Sequence, residues 1–516
     1  MTGSEHFKTS DEQMDKIQLG LMYGLTNEQI QVYATQKFNY LQMDEILLGF
    51  SNRLSARQVS LYADPKFNKY QMRQVRLGLE HNLTPEQINL YANRAFNEHQ
   101  MYEIRKGFDS GLSLEQVRVF ALPEFDFSQM CSIRKGFENN LTIDQVLTFA
   151  NPSFGSGQMR EIGFGFADGL TFEQVNVFAD PKYSAEQMQQ IRIGFKNGLS
   201  FEQVGLYADP GFNEYQMVQI MTGIKSKLTP EQISLYANSS FNVNQMNEIL
   251  CGLQALPLEQ VRVFALPDFD FSQMYVIRKG FENNLTMDQV LTFANPSFRS
   301  GQMSEISSGF ADRLTFEQVN VFANSKYTSD QMAQIRLGFR NGLTEEQVQQ
   351  YTDPKFELGQ MLQIRKGLEN GLSPKKIKLY ADPKFNSSQM AQIRLGFQNG
   401  LTEEQVQQYA YVKIDSSEME SMRKHLENGV QNIKAYNDAI ARYNELPTEQ
   451  SILLAKAAGS GISLTKLDVI ANGRFTIEQT DFLLKTMKKN VDIIPTNKKT
   501  GKKSQHDRSI TDTDIR

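Results

Sequence analysis

The chain predicts an all-α fold: a right-handed α-solenoid, or superhelix, of about seventeen 29-residue helix–turn–helix repeats. Three observations predict it. A Gln-Met dipeptide recurs with its methionine at Met14, Met43, Met72, Met101, Met130, Met159, Met188, Met217, Met246, Met274, Met303, Met332, Met361 and Met390, every step being 29 residues except the 28 from Met246 to Met274. Each unit carries two helix starts and two helix stops. Neither helix is long enough to hold alone, because nucleation costs more than a few turns return, so each apolar face must be buried on neighbouring units. Met419 continues the frame behind Glu418, and after an insertion of three residues Ser451 and Thr480 occupy it, 29 apart.

The elements of one unit follow in order. In FNEYQM, Asn213 is placed to cap a helix, Gln216 to close the capping box and Phe212 to staple onto Met217. This predicts a helix of about twelve residues ending at Asn-Gly or Gly, with Gly111, Gly198, Gly342, Gly371 and Gly400 in the left-handed C-terminal position. A glycine six residues after each methionine, from Gly20 to Gly396, sits inside this helix and implies a close approach of one helix backbone to another. In LTEEQV the same grammar recurs, with Thr344 as cap, Gln347 closing the box and Leu343 stapled to Val348. That second helix is expected to run about eight residues and to stop at Ala-Asp-Pro, as at Asp180-Pro181 and Asp382-Pro383, because the residue before proline disfavours helix. The aromatic stripe that follows the same frame, Tyr91, Phe120, Phe149, Phe178 and onward to Tyr409, is expected in the core.

Four segments follow from the pattern: an N-terminal extension at 1–9, regular repeats at 10–413, degenerate repeats forming a C-terminal cap at 414–490, and a disordered basic tail at 491–516. Residues 118–204 and 262–348 are near copies offset by 144, which is five repeats less the one residue missing from GLQALPLEQ. A block of five units was duplicated, and local irregularity is expected around Pro257.

Composition narrows the chemistry. The formal charge is −5, from 54 basic and 59 acidic residues, which weighs against a polyphosphate binder. Cys131 and Cys251 match no disulfide or zinc spacing, and none of the five histidines sits in a metal-binding or nucleophile–base pattern. No signal peptide and no membrane span is legible, so the expected localisation is cytoplasmic. The carboxylates belong to helix starts, where they complement the helix dipole. A repeated sequence also lacks the unique constellation that catalysis requires. The expectation is no enzyme, no cofactor and no metal.

One polar ladder stands out. Four residues after the core methionine lie Arg76, Arg105, Arg134, Arg192, Arg278, Arg336, Arg365, Arg394 and Arg423, interrupted by Gly163, Met221, Leu250 and Ser307. Such an arginine borders the buried face. It can bridge neighbouring repeats, or it can present guanidinium to carboxylates or phosphates of a partner. The residue directly after the methionine varies most, as in Tyr102, Val218, Tyr275 and Leu362, and is the candidate for partner specificity.

Over roughly residues 10–430 the unit resembles short helical repeats of uncharacterised bacterial proteins, some of them on mobile elements, and that resemblance implies no mechanism. Separately, LTPEQINLYAN at 83–93 resembles the first helix of transcription-activator-like effector repeats. That resemblance implies that loops beginning at Asp64-Pro65, Asn93-Arg94, Leu122-Pro123, Asn151-Pro152, Asp180-Pro181 and Asp353-Pro354 would enter the DNA major groove, with ladder arginines on phosphate. The 29-residue unit is shorter than that family's, the paired glycines after the reading residues are absent, and acidic residues outnumber basic ones before the tail. The function expected is therefore a non-catalytic scaffold that binds a protein or peptide along an extended surface. The alternatives are a nucleic-acid-binding solenoid and a structural spacer.

Overall fold

The computed structural model describes residues 10–491. Among them it holds thirty-three helices and no strand, in the consecutive packing of an α-solenoid. The expected N-terminal extension and all but the first residue of the expected basic tail lie outside the described residues; Val491 itself ends the helix Ile477–Val491. The chain divides after Arg278 into two compact units. In the first, long helices from Asp11–Met22 to Val243–Ala255 pack each on the next. In the second, Ser300–Ala311, Ser329–Arg340, Leu358–Glu369, Ser387–Gln398 and Ser416–Glu427 do the same, and Ile433–Arg442, Thr448–Gly459, Leu464–Asn472 and Ile477–Val491 follow.

The recurrent glutamine is the residue that turns helix starts into a stack. In the helix Glu98–Asp109, the Asn97 side chain accepts from the His99 and Gln100 amides at 3.0 Å, and Gln100 Oε1 accepts from the Asn97 amide at 2.8 Å. The other end of the same carboxamide points forward. Gln100 Nε2 donates to the carbonyls of Pro123, at 3.2 Å, and Phe125, at 2.6 Å, in the loop that leads to the next long helix. Gln42, Gln129, Gln187, Gln216, Gln331, Gln360 and Gln389 repeat this pair of forward bonds. One side chain thus satisfies an orphan helix amide behind it and two loop carbonyls ahead of it. Even the degenerate C-terminal units keep the habit, with Gln450 Nε2 donating to Phe475 O at 3.3 Å.

The long helix ends as expected. Gly111 adopts φ +83°, its amide donates to Phe108 O at 2.9 Å, and the Leu112 amide donates to Gly107 O at 3.0 Å. This is the Schellman closure. Leu112 is both the apolar residue that closes this helix and the one that precedes the Ser113 cap of the next. Six units place a residue other than glycine in the same left-handed position: Arg53, Asn82, Asn140, Lys227, Asn284 and Arg313. Asparagine tolerates that region, whereas lysine and arginine carry a Cβ penalty there. Lys227→Gly is therefore expected to raise stability by about 0.5–1 kcal/mol. Urea unfolding checks this, and a loss of stability would mean that the Lys227 side chain makes a compensating contact.

The internal glycine has a different reason from the one expected. It does not bring two helix backbones together; it receives the tip of the aromatic ring from the short helix of its own unit. A Cβ on Gly107 would lie 2.8 Å from Phe120 Cζ, and one on Gly194 would lie 3.2 Å from Tyr207 Cζ with the hydroxyl closer still. In tyrosine units the hydroxyl passes the glycine and donates to a carbonyl of the long helix, as Tyr62 does to Glu45 O at 3.2 Å. The aromatic stripe from Tyr33 to Tyr409 is buried throughout, as expected.

The short helices run four to seven residues rather than eight. Their last turn tightens: the Tyr62 amide bonds to Val59 O and the Asp64 amide to Tyr62 O, which ends the α-helical ladder before the aspartate. Where one residue is missing, Val243–Ala255 runs to thirteen residues, Leu256 is extended at φ −125°, and Pro257 caps the next helix without a side-chain bond. Near the C-terminus, Ile433–Arg442 packs on Thr448–Gly459. Gly459 O accepts from the Gln431 and Asn432 amides at 2.8 Å each, and Asp468 takes both Arg442 Nε and Nη2 at 2.8 and 2.7 Å.

Candidate functional site

Two sets of side chains were candidates for partner contact, and the structure places them differently. The ladder arginines lie on the long helices against the preceding unit. Arg76 Nε donates to Glu45 Oε2 at 2.9 Å, Arg134 Nε to Glu103 at 2.9 Å, Arg192 Nε to Glu161 at 3.1 Å, Arg278 Nε to Glu248 at 3.0 Å and Arg336 Nε to Glu305 at 2.8 Å. In Arg105, Arg365, Arg394 and Arg423 the acceptor at the same place is the amide oxygen of Gln74, Gln334, Gln363 or Gln392, at 3.0–3.1 Å.

A second bond comes from Nη1. It goes to an acid four residues on in Arg76, Arg105, Arg134, Arg365 and Arg423, whose partners are Glu80, Asp109, Glu138, Glu369 and Glu427. Where that position is basic, as at Lys196 and Arg340, the ladder arginine turns instead to Asp168 or Asp312 at the end of the preceding long helix. Burial drives the Asp168 carboxyl up, but the hydrogen bonds from Lys196 and Arg192 outweigh it and hold the group below its ordinary range. Arg394 rests on two neutral amides, Gln363 and Gln398, and burial holds it below the ordinary guanidinium value.

The side chains of Arg76 and Arg105 are only 8 % and 6 % exposed. Removing one partner of such a pair strands the other charge in a half-dry place. The carboxylates and glutamines two residues after the core methionine were not singled out in the sequence. Their signal was there, in the Glu or Gln that stands 31 residues before each of Arg76, Arg105, Arg134, Arg192, Arg336, Arg365, Arg394 and Arg423.

The specificity candidates sit at the rim of the same helices. Tyr102 and Tyr275 are exposed, while Val218 and Leu362 are half-buried. The Tyr102 ring lies 5.4 Å from the Arg105 guanidinium and 5.8 Å from Lys106 Nζ, and the Tyr275 ring 5.3 Å from Arg278. These positions are variable and reachable, but the structure does not draw them into a cleft.

A surface that the sequence reading passed over lies on the short helices. Their first residue is apolar in successive units, Leu114, Ile143, Phe172 and Phe201, and again at Met287 and Phe316. Phe172, Phe201 and Phe316 are 42 %, 52 % and 41 % exposed although their inner edges meet Phe166, Phe195 and Phe310 at centroid distances of 5.0–5.2 Å. Leu147 and Leu291, one turn later, are 54 % and 53 % exposed. The next residue in each of these units is acidic: Glu115, Asp144, Glu173, Glu202, Asp288 and Glu317. Glu173 and Glu317 are held below the ordinary carboxylate range by their own backbone amides and by the threonine caps.

The loops that would have read bases are occupied with their own geometry. Asp64, Asn93, Asn151, Asp180 and Asp353 each accept the amide two residues on at 2.9–3.0 Å, and the carbonyls of Pro65, Pro123, Pro152, Pro181 and Pro354 hold the forward-reaching glutamines. Among the described residues no group of three or more His, Cys, Asp or Glu side chains could hold a metal ion, and no helix is long and apolar enough to cross a membrane. A scan of protein-family models found no match to the chain, and searches of curated proteins and of solved structures found none either.

Proposed function

We propose that the chain is a non-catalytic repeat scaffold that binds a protein or peptide along its helical surface. The observation that carries this reading is the row of exposed apolar side chains on consecutive short helices, each beside a carboxylate: Leu147 after Asp144, Phe172 before Glu173, Phe201 before Glu202. Apolar area is what a protein interface desolvates, and flanking acids select a partner with basic side chains around an apolar strip. The same acids repel phosphate, while the ladder arginines that could attract it are engaged by carboxylates or, as in Arg394, by amide oxygens of their own chain. Tyr102, Val218, Tyr275 and Leu362 form a second set of exposed or half-exposed positions for the same class of partner.

The test is selection of a displayed random-peptide library on the full chain. Binders rich in Lys or Arg around apolar residues are expected, with affinity reduced about tenfold or more by Leu147→Glu with Phe172→Glu and Phe201→Glu. Binders lost instead to Tyr102→Glu with Val218→Glu would move the interface to the long helices. Failure to select any peptide, together with salt-sensitive binding of duplex DNA, would replace the scaffold reading with the nucleic-acid one.

A further inference from the structure

The ladder is broken at Gly163, and the break opens a cavity of about 380 Å³ between the long helices Phe127–Glu138 and Ser156–Ala167. Nothing in the packing requires glycine there. A Cβ on Gly163 would meet Phe149 Cζ at 3.6 Å, an ordinary contact, unlike the Cβ of the internal glycines. The acceptor that would face an arginine at this place is also gone: the position held by Glu103 one unit earlier is Ser132, whose hydroxyl is taken up by Ser128 O and Ser156 O at 3.0 and 3.1 Å. Arginine and acceptor are thus missing together, and the space they fill elsewhere is left empty.

What lines the space has a definite chemistry. Phe127 and Phe164 are 49 % and 39 % exposed, the first braced on His99 at 5.4 Å and the second lying 5.6 Å from the Arg192 guanidinium. Lys135 and Arg160 stand at the cavity, and among the described residues neither has a carboxylate within ion-pair distance. The acid at the cavity, Glu103, is already bound to Arg134. Lys135 feels the Glu138 carboxylate and Arg160 that of Glu186, but neither is drawn into a direct ion pair, so two aromatic walls and two cations line the space. The volume lies within the range of small-molecule sites.

We infer that this cavity binds a small anion with a flat apolar body, an aromatic carboxylate or sulfonate, its ring between Phe127 and Phe164 and its charge toward Lys135 and Arg160. Cys131, which also lines the cavity, is a built-in reporter. The inference does not depend on the scaffold reading.

The first probe is 8-anilinonaphthalene-1-sulfonate, titrated into the full chain. Saturable fluorescence from one site is expected, and Lys135→Gln with Arg160→Gln should weaken it about tenfold or more. Both side chains are on the surface, so the fold is not at risk in that variant. Ser132→Glu with Gly163→Arg restores the ladder pair, fills the space and is expected to melt no lower than the parent while losing the probe. The second probe reads Cys131 in a Cys251→Ser background. Its thiolate attacks a disulfide sulfur of dithiobis(2-nitrobenzoate), forming a mixed disulfide and expelling the aromatic thiolate. Relative to a neutral dipyridyl disulfide, the anionic probe should react about tenfold faster than it does with a free thiol, and the Lys135/Arg160 variant should erase that bias. Unchanged fluorescence in the refilled variant, or no preference for the anionic disulfide, would overturn the assignment.

Discussion

Replacing Gln100 by Glu is expected to destabilise the protein by about 2–4 kcal/mol. The substitution keeps the acceptor for the Asn97 amide but turns the forward end of the side chain from a donor into an acceptor. The carbonyls of Pro123 and Phe125 then face an oxygen where they faced an amide. Each lost bond costs about 1 kcal/mol, and a carboxylate 5 % exposed at that position adds repulsion and desolvation. The introduced carboxyl can restore a donor only by taking up a proton, so its folded-state pKa is raised. The folded protein then binds more protons than the unfolded one, and stability falls as pH rises through the carboxyl's range. The defect is therefore largest at neutral pH and partly relieved on acidification. Urea midpoints at pH 7 and pH 5 check both claims, and equal midpoints for Gln100→Glu and the parent at pH 7 would remove the stitching role.

Gly194→Ala should also destabilise, by about 2–3 kcal/mol, although alanine is the better helix former by about 1 kcal/mol. The sign is the test. A propensity-dominated site would gain stability, whereas a site filled by the Tyr207 phenol must lose it. Tyr207→Phe is not expected to rescue the variant, because phenylalanine units crowd the glycine as well, with Phe178 Cζ 2.9 Å from a Cβ on Gly165. Tyr207→Leu frees the space at the cost of its own cavity. In the double variant the two losses should fall short of adding by at least about 1 kcal/mol. Additive losses would show that the ring and the glycine do not meet.

These two residues also mark how far the sequence could be read. The 29-residue frame, the caps at Asn213 and Thr344 and the left-handed Gly342 are local grammar, and local grammar is legible because each rule relates residues a few positions apart. The glycine's need for space was legible too, but not what fills it, because a ring arriving from 13 residues downstream leaves no local trace. The direction of the Gln100 amide and the acceptor of Arg134, 31 residues earlier, depend on how one unit lies on the next. The exposed face of the short helices was missed for another reason. Phe172 and Phe201 lie outside the repeating aromatic stripe, and only the structure shows that one side of each ring is covered and the other is not.

The forward-reaching glutamines have a mechanical consequence. Each joins its unit to the next through two hydrogen bonds to a single loop, so a load applied along the chain meets one such fastening after another, all built alike. Extension of the regular region should proceed as a series of small, nearly equal rips rather than one large one. Each rip frees 29 residues, or about 100 Å of contour at about 3.5 Å per residue. The tyrosine units, with a phenol hydrogen-bonded across the groove, should hold to slightly higher force than the phenylalanine units. A chain built this way yields by degrees and keeps most of its length folded while it does so.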